Sequence, residues 1–242
     1  MQLENKAVLV SGASRGLGAA LARQLARRGA RVVLVARDRA ALARVADEIR
    51  SQGGEAHALG ADLGDKSAIY PLAGAAAALV GPIDIAIHNA STLGPTPLRL
   101  LLDTECEDLQ RVLDVNLIGP FRLSKALAGS MALRGGGVIV HISSDAAVNA
   151  YPSWGAYSVS KAALDHLARL WAAELAEFGV RVLSIDPGEM RTAMHAAAMP
   201  DADAQTLADP GDVAAVSVRM LEQIERVANG ARLLAQSWQA AP

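Results

Sequence analysis

A tyrosine and a lysine four residues apart, Tyr157 and Lys161, form the pair in this sequence best suited to proton transfer. Both lie in a segment from about Ser153 to Phe178 that is predicted to be helical, and their spacing puts them on one helix face. A phenol with a pKa of about 10 exchanges protons poorly at neutral pH, but a neighbouring ammonium favours the phenolate and should lower that pKa. The pair is therefore a candidate acid/base group for carbonyl chemistry, or else an amphipathic pair with its polar tips outward.

Three glycines, Gly12, Gly16 and Gly18, occupy the first predicted strand-to-helix turn. Glycine accepts positive φ and lets a ligand approach the backbone, and the amides at a helix N-terminus attract anions such as a pyrophosphate. The spacing is G-x-x-x-G-x-G and does not match G-x-G-x-x-G, because positions 14 and 17 are Ser14 and Leu17. Taken alone, the cluster fits either a dinucleotide site or a plain tight turn.

The elements that must hold these groups alternate along the chain. Longer stretches with apolar residues at helical spacing separate seven short aliphatic runs. The runs predict strands at Lys6–Ser11, Arg31–Ala36, Glu55–Leu59, Ile83–His88, Gly137–Ile142, Val180–Ile185 and Arg232–Leu234. Most of these runs are continuously apolar, which indicates burial on both faces, as in a parallel sheet covered by helices. No linker divides the chain, so we expect a doubly wound α/β fold as a single domain over residues 1–242.

Composition and charge exclude several classes of protein. The 242 residues carry 23 Lys and Arg against 25 Asp and Glu, a net charge of −2, so no global positive field exists to hold a nucleic acid. Despite a hydrophobic content of 52%, no stretch approaches the roughly 20 apolar residues of a membrane-spanning helix. The N-terminal residues have no export-signal pattern, so a cytoplasmic protein is expected. The lone Cys106 excludes an internal disulfide and a cysteine zinc site, and no metal is expected.

Further motifs follow in a fixed order between residues 6 and 192. They are Gly12, Gly16 and Gly18, then Asp62-Leu63, His88-Asn89-Ala90, Asn116, Ser144, Tyr157-x-x-x-Lys161 and Pro187-Gly188. This ordered set resembles the short-chain dehydrogenase/reductase family, although each motif alone is common. The resemblance implies a Rossmann-type fold with about seven parallel strands. It also implies an oxidoreductase that transfers a hydride between a nicotinamide cofactor and a carbonyl or alcohol.

The resemblance also implies roles for the catalytic candidates. Tyr157 is expected to donate a proton to the carbonyl oxygen, or to remove one from an alcohol, while Ser144 steadies the substrate oxygen. Lys161 is expected to bind the nicotinamide ribose, and Asn116 to interrupt its helix and hold a water that relays protons to Lys161. Ser143 is the neighbouring alternative to Ser144, but the family's gap of thirteen residues before Tyr157 selects Ser144.

For the cofactor, the resemblance implies contacts from the glycine turn, from the loops after the second, third and fourth strands, and from the segment after the sixth. The expected residues are Gly12, Ser14, Arg15, Gly16, Leu17, Gly18, Arg37, Asp62, Leu63, Asn89, Ala90, Tyr157, Lys161, Pro187, Gly188 and Thr192. Asp62 should accept a hydrogen bond from the adenine amine, or else belong to a helix N-cap.

Charge at the end of the second strand bears on which nicotinamide cofactor is used. Family members that prefer NAD have an acid there, whereas this chain has Ala36 followed by Arg37, with Arg15 as a second cation. Guanidinium groups suit a phosphate, so NADP is expected. The alternative is NAD, with Arg37 a solvated strand end and Asp38 the ribose acid, twenty residues beyond Gly18.

Two positions depart from the family pattern, since His88 replaces the usual first Asn and Ser91 the closing Gly. The stretch 190–210 should form a substrate lid, and its Met194 and Met199 suit an apolar carbonyl compound. The leading hypothesis is an NADPH-dependent carbonyl reductase that forms a homodimer or homotetramer. The alternatives are an NAD-linked alcohol dehydrogenase and a cofactor-sensing protein without turnover.

Overall fold

The computed structural model describes residues 1–238 and confirms the alternation of strands and helices. The strands are β1 (Ala7–Ser11), β2 (Arg31–Ala36), β3 (Glu55–Gly60), β4 (Ile85–His88), β5 (Gly137–Ile142), β6 (Val180–Asp186) and β7 (Arg232–Leu234). They form one parallel sheet in the order β3-β2-β1-β4-β5-β6-β7. The expected domain also includes residues 239–242, which lie outside the described residues.

The bounds of β2, β5 and β7 are as predicted, and those of the other four strands differ by one or two residues. β1 and β4 begin later than predicted, and β3 and β6 end one residue later. Before β4, the carboxylate of Asp84 accepts a hydrogen bond from the Ala7 amide at 2.9 Å, while Ile83 is buried without being part of the strand. An apolar run therefore predicts burial more closely than it predicts the first strand residue.

Eight helices flank the sheet among the described residues. They are α1 (Gly16–Ala26), α2 (Arg39–Ser51), α3 (Ile69–Val80), α4 (Cys106–Leu113), α5 (Gly119–Leu133), α6 (Gly155–Glu174), α7 (Ala193–Ala198) and α8 (Pro210–Glu222). One hydrophobic cluster joins α1, α2 and α8 to one face of the sheet, and a second joins α3, α5 and α6 to the other. This arrangement explains the continuously apolar strands, because both faces of the sheet are covered. No helix within residues 1–238 is long and apolar enough to cross a membrane.

The strand order creates a crevice at the carboxyl edge of the sheet. From β1 the chain moves outward to β2 and β3, and then returns to place β4 on the other side of β1. The loops after β1 and β4 therefore leave in opposite directions, and ligands of open α/β sheets bind at such a switch point. The predicted motifs at residues 12–18, 89–90, 143–144 and 187–188 all follow carboxyl ends of strands and gather at this edge.

Candidate active site

The glycine turn joins β1 to α1 and leaves the helix N-terminus open. Gly12 and Gly16 have φ angles of 67° and 54°, values that residues with a side chain rarely adopt. Ser14 is partly buried, and Arg15 is the N-cap residue of α1. No side chain caps this helix, and its first turn contains no acidic residue. Because uncapped helix amides favour an anion, the turn has the properties that a pyrophosphate site requires.

The glycine turn packs directly against the end of β4. The side-chain amide of Asn89 donates to the carbonyls of Ser11 and Gly12 at 3.0 and 3.1 Å. A Cβ atom on Gly18 would lie 2.2 Å from the Gly12 carbonyl oxygen, and one on Gly12 would lie 2.8 Å from Cα of Ala90. The contacts of Asn89 and Ala90 therefore hold the turn in place. They leave room only for glycine at positions 12 and 18.

The cations expected near a cofactor phosphate are exposed at this end of the sheet. The side chains of Arg15 and Arg37 form no hydrogen bond or salt bridge with another residue in the described part of the chain. Arg37 directly follows Ala36, the last residue of β2. Asp38, the alternative ribose acid, is the N-cap of α2, and its carboxylate accepts from the Ala41 amide at 2.9 Å. The two guanidinium groups are thus free to meet a phosphate.

The pair expected at the adenine has other contacts in the structure. The carboxylate of Asp62 accepts from the Gly64 amide at 2.9 Å and pairs with the Arg111 guanidinium of α4 at 2.8 Å. Partial burial acts to raise the pKa of Asp62, but the Gly64 amide and Arg111 together lower it. The side chains of Leu63 and Leu17 are buried in the two hydrophobic clusters.

Helix α6 turns Tyr157 and Lys161 toward the sheet. Their exposed fractions are 8% and 2%, so the alternative of an amphipathic pair with outward polar tips is wrong. The Lys161 ammonium donates to the carbonyl of Ile142, the last residue of β5, at 2.6 Å. Its Nζ lies 5.5 Å from the centroid of the Tyr157 ring. The spacing of four residues therefore brings both groups to the carboxyl edge of the sheet.

The pKa values of this pair are governed by burial. Burial raises the pKa of Tyr157 to about 12, and the nearby hydroxyls of Ser144 and Ser91 only partly oppose it. Burial also lowers the pKa of Lys161 to about 8, opposed by the carboxylates of Asp165 and Asp186. The expectation that the ammonium lowers the phenol's pKa is therefore wrong for this structure. A phenol with a raised pKa is suited to act as a proton donor at neutral pH.

The side chains of two adjacent serines after β5 have different hydrogen-bond partners. The hydroxyl of Ser143 is buried and donates to Asp165 at 2.7 Å. The hydroxyl of Ser144 donates to Asp145 at 3.1 Å, and it lies near enough to Tyr157 to favour the phenolate. The second oxygen of Asp145 accepts from the Tyr151 hydroxyl at 2.8 Å. The structure thus favours Ser144, and not Ser143, as the serine that faces the phenol.

Asn116 lies in a π-helical turn, Asp114–Ile118, between α4 and α5. This turn is the local interruption that the sequence led us to expect. The side chain of Asn116 is 1% exposed and fully engaged, since its oxygen accepts from the Thr92 amide and its nitrogen donates to the Thr92 carbonyl and the Ser160 hydroxyl. The side-chain nitrogen of Asn116 therefore has both its hydrogens in use within the protein.

The segment after β6 approaches the glycine turn. The amide of Gly188, which follows Pro187, donates to the Asp186 carboxylate at 2.9 Å, and Gly188 has a φ of 70°. A Cβ atom on Gly16 would lie 3.4 Å from the methyl group of Thr192, so Thr192 reaches the turn after β1. Thr192 also caps the short helix α7. Thr192 is thus brought next to Gly16 of the glycine turn, while Gly188 is held by Asp186.

The expected lid, 190–210, contains α7 and a tether at its base. A parallel bridge joins Met190 to Ala208, and Arg191 pairs with Asp209 at 3.0 Å. A small apolar cluster surrounds the phenol of Tyr157 and includes residues of the lid. Its other members are Leu93, Leu98, Ala146, Trp154, Met194 and Ala198. The ring of Trp154 meets that of Tyr157 edge-on with centroids 5.8 Å apart, which makes the wall beside the phenol apolar.

Sequence reasoning did not assign several residues that the structure places at this site. Ser91, noted only as a departure from the family pattern, has a buried hydroxyl that influences the Tyr157 pKa. Asp165 and Arg232 form an ion pair behind the catalytic candidates, and Asp186 joins them. The one available signal was the position of Asp165, four residues after Lys161 on the same helix.

Comparison with known proteins agrees with this geometry. The family described as short chain dehydrogenase matches residues 6–203 of the chain. The chain is also 34% identical to the 7alpha-hydroxysteroid dehydrogenase of Escherichia coli strain K12 over 242 residues, which cover 98% of this chain and 91% of that relative. The chain belongs to the short-chain dehydrogenase/reductase family. It is an oxidoreductase of that family with a Rossmann-type fold.

Solved structures of short-chain dehydrogenases superpose closely on this family member. A short-chain dehydrogenase from Shigella flexneri complexed with NADP has a TM-score of 0.90 and 30% identity, covering 97% of this chain and 98% of that one. A 7 alpha-hydroxysteroid dehydrogenase complexed with NADH and 7-oxo glycochenodeoxycholic acid has a TM-score of 0.89 and 31% identity, covering 96% and 93%. Both forms of nicotinamide cofactor thus occur among similar members of the family.

Proposed function

We propose that this protein reduces a small, hydrophobic ketone or aldehyde with NADPH. The observation that carries the proposal is the phenol of Tyr157, which is buried beside Ser144 and Lys161 within a small apolar cluster. Burial raises the pKa of this phenol to about 12, so it is suited to donate a proton to a carbonyl oxygen at neutral pH.

The cofactor fits the residues at the crevice. The open N-terminus of α1 and its glycine turn would hold the pyrophosphate, and Arg15 and Arg37 would pair with a 2′-phosphate. Lys161 and the Pro187-Gly188 turn would hold the nicotinamide end. When bound, NADPH supplies the hydride that adds to the carbonyl carbon.

Side chains of the protein bind the oxygen of the substrate and protonate it. Ser144 orients the carbonyl oxygen by a hydrogen bond, and the hydroxyl of Tyr157 transfers its proton to that oxygen as the carbon receives the hydride, so that the product is an alcohol. The ammonium of Lys161, held by the Ile142 carbonyl, supports the phenolate that remains. The π-turn around Asn116 would hold a water through which a proton returns to Lys161.

The walls of the site support an apolar substrate. The residues around Tyr157 are largely aliphatic, with Trp154 and Met194 on opposite elements. Methionine adapts to different apolar shapes, which suits a site that accepts a range of hydrophobic carbonyl compounds. One similar family member is complexed with 7-oxo glycochenodeoxycholic acid, whose 7-oxo group is a ketone.

The test is NADPH oxidation across a panel of ketones and aldehydes by the wild-type protein and Tyr157→Phe. We expect turnover by the wild type and a loss of about 10²- to 10⁴-fold in kcat in the variant, because the proton donor is removed. Tyr70→Phe is the matched control, since this tyrosine of α3 is 65% exposed and does not belong to the apolar cluster around Tyr157. Equal rates in the wild type and Tyr157→Phe, or NADPH binding without any oxidation, would contradict the proposal.

A further inference from the structure

A cluster of three charged side chains lies directly behind Ser144 and consists of Asp165 of α6, Asp186 of β6 and Arg232 of β7. We call it the Arg232 cluster. The side chains of Asp165 and Asp186 are 9% and 6% exposed, and that of Arg232 is 24% exposed. All three come from different elements, so no local sequence pattern brings them together.

The guanidinium of Arg232 reaches three elements at once. Its Nε donates to the Asp165 carboxylate at 3.0 Å, and its Nη2 donates to the Asp186 carboxylate at 2.6 Å. The same Nη2 donates to the backbone carbonyl of Ser144 at 2.9 Å. The fixed planar fork of arginine therefore sets the position of the serine relative to α6 and β6.

The two carboxylates extend these contacts to both turns of the site. Asp165 accepts from the hydroxyl of Ser143 at 2.7 Å, and Asp186 accepts from the amide of Gly188 at 2.9 Å. One side of the cluster thus holds the turn after β5, and the other side holds the turn after β6. The first turn carries the serine that faces the phenol, and the second is part of the proposed nicotinamide site.

The charges of the cluster are balanced by the site itself. The carboxylates of Asp165 and Asp186 exceed the single charge of Arg232 by one, and the ammonium of Lys161 supplies the missing positive charge nearby. Burying such groups contributes little net stability, since desolvation offsets most of the attraction between them. A role in fixing geometry explains their placement better than a role in stabilising the fold.

We propose that Arg232 is a positioning residue that aligns Ser144 with the Pro187-Gly188 turn for hydride and proton transfer. This inference rests on the proposed function, because it assigns Ser144 and the turn to substrate and cofactor. Arg232 acts through these neighbours and does not itself touch the reacting atoms.

The experiment compares wild type, Arg232→Met, Arg232→Lys and Asp165→Asn. The control is Arg23→Met, which removes another arginine–carboxylate pair, with Glu48, far from the crevice on α1. We expect kcat to fall by about tenfold or more in Arg232→Met with a smaller change in KM, because a small displacement of the serine affects the transition state most. Arg232→Lys should recover only part of the rate, since lysine keeps the charge but loses the fork.

Amide hydrogen exchange supplies a readout that needs no turnover. In Arg232→Met we expect faster exchange in both segments 143–147 and 186–189, and in Arg23→Met we expect no change there. If Arg232→Met does not fold, Arg232→Lys carries the same test, because it keeps the charge but loses the fork. Asp165→Asn is the converse test, because its amide oxygen still accepts from Ser143 and Arg232, so exchange at both segments should change less than in Arg232→Met.

Two results would overturn the inference. One is a loss of thermal stability in Arg232→Met with kcat and exchange at both segments unchanged. The other is full recovery of kcat by Arg232→Lys, which would reduce the role of the residue to its charge alone. If the wild type reduces no carbonyl compound, the proposed function fails, while the exchange data still decide whether Arg232 holds the two turns together.

Discussion

The two halves of the carboxyl edge use charge in opposite ways. On the side formed by β1, β2 and β3, the charged groups are Arg15, Arg37 and Asp62, and the two arginines are exposed. On the side formed by β4 to β7, Lys161 and Asp186 are buried. We call these the cofactor side and the chemistry side.

The difference explains how each side works. On the cofactor side, close backbone packing of glycines shapes a turn, and separate exposed cations are available to a ligand from solvent. On the chemistry side, burial shifts the pKa values of Tyr157 and Lys161 in opposite directions, and each ionisable group depends on its neighbours. Substitutions on the cofactor side should therefore act singly, whereas those on the chemistry side should act through a network.

The largest expected effect concerns pH and the histidines of the sheet. Burial lowers the pKa of His88 to about 4, and it lowers that of its neighbour His141 as well. In the unfolded chain a histidine has a pKa of about 6.5, so between these values the unfolded chain binds a proton that the folded protein does not. The contribution of the neutral His88 to the free energy of unfolding should thus be complete above pH 6.5. The free energy of unfolding should fall by about 3 kcal/mol from His88 alone as the pH approaches 4.

Urea unfolding at a series of pH values measures this dependence. His88→Gln should flatten the pH dependence, because glutamine can still bond to Ser124 but does not titrate. His57→Gln is the control on the cofactor side, since His57 is partly exposed on β3 and lies beside Glu55. If His57→Gln flattens the pH dependence of the free energy of unfolding as much as His88→Gln does, the difference between the two sides is contradicted.

A smaller effect is expected from crowding the glycine turn. In Gly18→Ala, the new Cβ would lie 2.2 Å from the Gly12 carbonyl oxygen, so the backbone of the turn must shift. We expect a loss of about 2 kcal/mol in the free energy of unfolding together with weaker NADPH binding. Unfolding in urea and fluorescence titration with NADPH measure the two quantities.

The matched control for this substitution is Gly74→Ala. Gly74 lies in α3 with open space around its Cβ position, and alanine there should raise stability by roughly 0.5–1 kcal/mol. Equal stability of the two alanine variants would show that close packing does not shape the cofactor side.

The smallest expected effect separates the two nicotinamide cofactors. Arg37→Asp replaces an exposed cation with an anion, and we expect NADPH binding to weaken by roughly tenfold or more while NADH binding changes little. Arg44→Asp makes the same charge change further along α2 and is the control. Tighter binding of NADH than NADPH by the wild type, with little response to Arg37→Asp, would instead favour an NAD-linked alcohol dehydrogenase.

Most of the architecture was predictable because it depends on local patterns. All seven strands follow from aliphatic runs that lie on a two-sided sheet, and the interruption of the helix at Asn116 follows from its motif. The spacing of Tyr157 and Lys161 also determined that they share a helix face. These features are set by residues close together in the sequence.

The remaining features depend on contacts between distant residues. Arg232 meets Asp165 across 67 positions and Asp186 across 46, and no spacing rule connects them. The pKa of Tyr157 was predicted in the wrong direction because a nearby ammonium is visible in the sequence, whereas the extent of burial is not. Burial also directs the Leu63 side chain into the core, away from the crevice.

The most direct test of the proposed reaction follows the hydrogen itself. NADPH carrying deuterium at the carbon that transfers the hydride is mixed with the wild-type protein and a hydrophobic ketone, and the alcohol product is analysed by mass spectrometry. We expect a single deuterium on the former carbonyl carbon with the wild type, and product formation slowed by about 10²-fold or more with Tyr157→Phe. Binding of NADPH without deuterium transfer to any carbonyl compound, or transfer at an equal rate in Tyr157→Phe, would contradict the assignment of Tyr157 as the proton donor of a carbonyl reductase.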